Sequence, residues 1–143
     1  MLEQILTTDQ LPVWAEEYAC SVATAYQPDC IILFGSVARN AQQKGSDIDI
    51  LVIGGDLPAD PRERFRLLMR LRPLLAPIQV QSFTRAEWER MMARKHLTVL
   101  EALSDGRPLH GRPLFARWRR QFQHWREQGL RRTGCSWVVP PHV

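Results

Sequence analysis

The chain has 143 residues and a mass of 16.6 kDa, with 45% hydrophobic and 24% charged side chains, so one globular domain with a real core is expected and no disulfide or metal staple is needed. No apolar run approaches the roughly 18 residues of a membrane span, and no basic residue precedes Arg39, so no secretory leader and a cytoplasmic location are the expectation. The net charge of +4 is unevenly spread: residues 107–143 hold eight Arg and one Glu while the rest is net acidic, and this bias invites a nucleic-acid or acidic partner.

Leu11, Trp14, Ala15, Tyr18 and Val22 recur at helical spacing opposite Glu16 and Glu17, which predicts an amphipathic helix to about Tyr26. Cys30 to Phe34 is a short apolar run closed by Gly35 and reads as a buried strand. A second strand, polar at its start, spans Ser46 to Ile53 and ends at Gly54-Gly55. Asp60-Pro61-Arg62-Glu63 supplies an N-cap, a proline at the first helical position and a reciprocal Glu for a helix to about Leu71. Pro77 to Phe83 alternates as a third strand, and Thr84-Arg85-Ala86-Glu87 opens a capped helix through Arg94. A short helix over Leu97–Leu103, a loop at Gly106–Gly111 with a brief extended piece, a last helix from about Pro113 to Gly129 and an irregular tail complete the chain. Cys20, Cys30 and Cys135 lack metal-ligand spacing and read as free thiols, two of them in the core.

The chemistry concentrates in Phe34-Gly35-Ser36-Val37-Ala38-Arg39 and Ser46-Asp47-Ile48-Asp49. A glycine ending a strand lets backbone approach a ligand closely, and a serine at a following helix start offers donors where anions are favoured, which makes a phosphate cradle. Asp47 and Asp49, two apart on a strand, project from one face while Ile48 and Ile50 enter the opposite layer. Paired carboxylates repel unless a cation sits between them, and such oxygens suit Mg²⁺ carried with phosphates.

On these residues the chain resembles the minimal nucleotidyltransferases of the DNA polymerase β superfamily, whose signature is Gly-Ser, ten residues, then Asp-x-Asp. The resemblance spans about residues 10–111 and implies that Asp47 and Asp49 are catalytic and bind Mg²⁺. It further implies that Gly35 and Ser36, with Arg39 and Ser46 beside them, hold the triphosphate of ATP or another nucleotide. Arg39 read by itself serves equally well as a surface ion-pair residue. The implied reaction transfers AMP to a hydroxyl. Short members of this kind resemble antitoxins that silence a HEPN-type RNase toxin by adding AMP to it. One departure stands out: the third strand carries Gln79, with Gln81 on the same face, where active members carry a third acid. Glutamine can neither take a proton nor neutralise a metal. Asp56 and Glu87 are the nearby alternatives, and Glu87 already has a capping role.

Phe115, Trp118, Phe122 and Trp125 form an aromatic stripe on the last helix, which reads first as core and second as a docking face. Its Arg residues read first as a solvated face and second as a grip on phosphates. The expected fold is α/β, a small mixed sheet flanked by helices, nucleotidyltransferase-like, with an extra C-terminal amphipathic helix. Residues 1–111 form the nucleotidyltransferase-like unit and residues 112–143 a basic aromatic helix and tail packed on it. The leading functional expectation is Mg²⁺-dependent AMP transfer from ATP to a protein partner. The alternative, favoured by Gln79, is a degenerate module that binds a protein or nucleic-acid partner through the last helix.

Overall fold

The computed structural model of the chain describes residues 10–38 and 47–143. Strands β1 (Cys30–Phe34), β2 (Ile48–Ile53), β3 (Ile78–Phe83) and β4 (Arg107–His110) form one sheet in the order β3-β2-β1-β4. β1 is antiparallel to both its neighbours, and β2 and β3 are parallel. The helices are α1 (Gln10–Tyr26), a four-residue turn α2 (Gly35–Ala38), α3 (Pro61–Arg70), α4 (Arg85–Ala93), α5 (Leu97–Asp105) and α6 (Arg112–Glu127). No described helix is long and apolar enough to cross a membrane.

Both faces of the sheet are covered, which is why its inner strands read as continuous apolar runs. On one face Trp14, Tyr18 and Val22 of α1 and Leu68 of α3 pack on Ile31, Leu33, Ile48, Ile50 and Val80. The Tyr18 hydroxyl donates to the Leu68 carbonyl at 2.7 Å and ties the two helices together. On the other face Cys30, Ile32, Leu51 and Ile53 meet Trp88, Val99, Leu103 and the aromatic stripe of α6. Each such side chain contributes on the order of 1.5–3 kcal/mol by leaving water. Phe115, Trp118, Phe122 and Trp125 are all buried, so the stripe is core and not a docking face.

Several local expectations change. Asp60 caps α3 by accepting from the Arg62 amide at 3.0 Å, while Glu63 lies 3.8 Å from Arg66 instead of reaching back to the cap. The Thr84–Glu87 capping box of α4 is reciprocal, as its sequence predicts. The loop after α5 is mostly strand, because Arg107–His110 completes the exposed edge of β1. The tail also gains structure: β5 (Arg131–Thr133) and β6 (Ser136–Val138) form a hairpin around a two-residue Gly134-Cys135 loop, with Gly134 at φ +60°. Trp137 anchors it, edge-on to Phe122 and donating to Glu101 at 3.2 Å. Only Cys30 is buried, its thiol pushed up to about 12 by burial, whereas Cys20 and Cys135 are exposed because they fall on outward positions of a helix and a turn.

Candidate functional site

The antiparallel pairing of β1 with β2 brings the end of one to the start of the other, and the parallel β2–β3 pair places the start of β3 beside both. Gly35, Asp47, Asp49 and Gln79 therefore meet at one end of the sheet although they span 45 positions of sequence. Asp49 pairs with Phe34, the last residue of β1, so its carboxylate lies against the turn that follows.

That turn requires glycine. Gly35 adopts φ +76°, a left-handed conformation that side chains disfavour. A Cβ built there would strike the carboxylate of Asp49. The glycine thus makes room for the acid, and the signature pairs the two residues sterically as well as chemically. α2 begins at Gly35, carries Ser36 at its second position, and buries Val37 and Ala38 to hold the turn down. Arg39 and Ser46, both expected at the nucleotide, lie outside the described residues.

Asp47 stands exposed just before β2, anchored by the neighbouring Ile48 amide, which donates to the Pro77 carbonyl at 2.8 Å. Asp49 is half-buried and shares its side of the sheet with Leu51 and Ile53, while Ile48 and Ile50 enter the opposite core. Gln79 is the direct register partner of Asp49 on the adjacent strand. In-register residues of parallel strands project on the same side at about 4.8 Å separation, so an amide stands beside the carboxylate.

Neither alternative acid reaches this end. Asp56 follows the far end of β2, where its amide donates to the Tyr26 carbonyl at 2.9 Å. Glu87 follows β3 and is engaged there, 3.0 Å from the buried Arg64. The Thr84 amide that donates to Glu87 holds its carboxyl below the usual range, with Arg64 adding to the effect. Among the described residues, no group of three or more His, Cys, Asp and Glu side chains is placed to hold a metal. Asp49 on β2 and Asp47 immediately before it are hard oxygen donors close to the glycine turn in sequence and pairing, a chemistry that fits a Mg²⁺ completing its shell with substrate oxygens and water.

The fold adds one residue that sequence spacing does not reveal. Arg107 begins β4 opposite Leu33, and its guanidinium reaches the Val37 carbonyl of α2 at 3.5 Å. It brings a cation to the rim of the cradle turn. A sequence reading places it in a loop 70 positions from Val37, and only strand pairing brings the two together.

Known proteins agree with this architecture. A toxin–antitoxin solved with AMP-PNP superposes with a TM-score of 0.56 at 19% identity, over 79% of this chain and 87% of that one. A mutant of the MntA–HpeT toxin–antitoxin does so at 0.55 and 18%, over the same shares. These likenesses establish the fold. By sequence, none of the curated proteins matches the chain. The family model "Polymerase beta, Nucleotidyltransferase" matches residues 20–97, more than half of the sequence and every described residue of the site end except Arg107, and the chain belongs to that family.

Proposed function

We propose that this protein binds a nucleoside triphosphate with Mg²⁺ at the Gly35–Asp49 end of the sheet and transfers AMP from ATP to a hydroxyl of a protein partner, the toxin of a toxin–antitoxin pair. The observation that carries this reading is the fit between Gly35 and Asp49, a turn open to phosphate whose missing side chain is replaced by an acid. The AMP-PNP held with one structural neighbour and the toxin–antitoxin nature of both support the nucleotide and the partner. A HEPN-type toxin is the partner that the family resemblance favours.

In this reading Asp47 and Asp49 hold the metal, and Gly35 and Ser36, with Arg39 and Ser46, receive the triphosphate. When bound, Mg²⁺ neutralises charge on the transferring phosphoryl group and aligns attacking and leaving oxygens. Arg107 adds positive potential at the rim of the turn. Gln79 orients groups by hydrogen bonding but accepts no proton, so the proton of the attacking hydroxyl leaves to water or to the partner.

The register of Gln79 with Asp49 also favours a second reading, a nucleotide-binding antitoxin that has lost transfer and acts by binding alone. Calorimetry of ATP with and without Mg²⁺, on wild type, Asp47→Asn and Asp49→Asn, tests the shared part. Metal-dependent binding lost in both variants supports a nucleotide site, and absence of binding by the folded wild type overturns it. Transfer of labelled AMP to the co-expressed partner then separates the two readings.

A further inference from the structure

We infer that the outward face of α6 is a binding surface for the sugar–phosphate backbone of a nucleic acid. With Phe115, Trp118, Phe122 and Trp125 turned into the core, the opposite side of the helix presents Arg112, Arg117, Arg120 and His124 to solvent, with Arg119 half-buried at its margin. Arg120 and His124 form a ridge between two shallow grooves: Arg112, Arg119 and Gln123 line one, with Glu127 at its end, and Arg117 and Gln121 line the other. Arg112 and Arg120 are eight residues apart, about 12 Å along the helix, enough to follow several phosphates.

Two observations set this face apart from an ordinary solvated one. First, the ion pairs among the described residues engage Arg64, Arg66, Arg85 and Arg132, and none involves Arg112, Arg117, Arg119 or Arg120. Nor do these four sit on aromatic rings, whereas Arg85, Arg126 and Arg132 do. The single acid on the outer face, Glu127, lies at the end of the helix, 3.9 Å from His124. Second, none of the exposed large apolar side chains among the described residues lies on α6. Protein-binding hot spots combine Arg with large aromatic anchors, and this face supplies the arginines without exposed large apolar side chains. A phosphate backbone needs only fixed cations and hydrogen-bond donors, which Arg, Gln121 and Gln123 supply.

The test is fluorescence anisotropy with a labelled 20-nucleotide single-stranded RNA, DNA of the same sequence, and polyglutamate of similar length. Wild type is expected to bind both oligonucleotides with Kd on the order of 10⁻⁶ M at low salt. The quadruple variant R112Q/R117Q/R119Q/R120Q is expected to bind about tenfold or more weakly and to lose about 3 from the slope of log affinity against log salt. The charge-matched variant R62Q/R66Q/R70Q/R72Q, on α3 and the turn after it, is expected to bind as wild type. The milder double variant R119Q/R120Q, with circular dichroism on all variants, keeps the test valid if the quadruple variant fails to fold. Equal RNA and DNA affinities would indicate backbone contact alone, and an RNA preference would indicate contact with the 2′-hydroxyl; either supports the surface. No binding by wild type, an equal loss in the α3 variant, or polyglutamate binding as tightly as the oligonucleotides would overturn it. ATP affinity is expected to be unchanged in the α6 variants, so this surface and the nucleotide site stand or fall separately.

Discussion

Gly35 and Gly54 both adopt φ +76°, and at each an aspartate carboxylate occupies the space where a Cβ would go: Asp49 at one end of the sheet and Asp29 at the other. The same local device has different surroundings. At the far end Arg85 lies 3.6 Å from Asp29 and also pairs with Glu89 at 2.9 Å. Close by, the buried Arg64 donates to the Pro58 and Ala59 carbonyls, to Ser82 and to Glu87, closing a network around the start of α4. At the site end Asp49 has Gln79 as its register partner on β3, and a second acid, Asp47, immediately precedes β2. One end joins its acids to arginines in a structural network; the other sets two acids within three residues beside a glycine turn, donors of the kind that suit a cation brought with a ligand.

The comparison breaks or sharpens under mutation. The largest effect is expected from Asp49→Asn, which should lower metal-dependent ATP affinity and AMP transfer by about 10²–10³-fold in protein that still folds by circular dichroism. The reverse pattern is expected from Arg64→Met, which strands several carbonyls and Glu87: a loss of about 3 kcal/mol in urea denaturation with unchanged ATP affinity in the folded protein. The glycines offer the direct contrast. Gly35→Ala and Gly54→Ala should each cost about 2 kcal/mol through left-handed strain and displacement of an aspartate, but only Gly35→Ala should also remove ATP binding in calorimetry. Gln79→Asp restores an acid beside Asp49, and a transferase with an otherwise competent site should gain about tenfold in labelled AMP transfer. No gain would favour the binding-only reading.

The smallest effect concerns acid. The folded state holds Glu87 below its usual value of 4.5, first through the Thr84 amide and then through the Thr84 hydroxyl and Arg64. A depressed carboxylate contributes stability that is complete above the unfolded value and is lost as pH falls through the folded one. Glu87→Gln should therefore cost about 1 kcal/mol at pH 7, and the difference from wild type should shrink in denaturation curves taken progressively below pH 4.5. Equal differences at pH 7 and pH 3 would show that the charge of Glu87 contributes nothing.

Much of this was legible because it is local. The helix of Trp14 and Tyr18, the strand from Cys30 to Phe34, the Asp60 and Thr84 caps and the aromatic side of α6 follow from spacing and side-chain chemistry within a few residues. So does the placing of Asp49 opposite the layer of Ile48 and Ile50, because strand periodicity is a property of the backbone. The register of Gln79 with Asp49, the joining of Arg107–His110 to the sheet edge, the contact of Arg107 with Val37 and the Gly134 hairpin anchored by Trp137 are pairings between distant segments. No local preference specifies them, since a short polar or Pro-containing run becomes strand only when a neighbour offers it an edge. By itself the sequence determined the helices and the first three strands, the aromatic side of α6, the family signature and the placing of positive charge. Tertiary packing decided the fourth strand and the tail hairpin, which acids lie far from the site end and which amide stands beside Asp49, because those outcomes depend on what each surface meets across the fold.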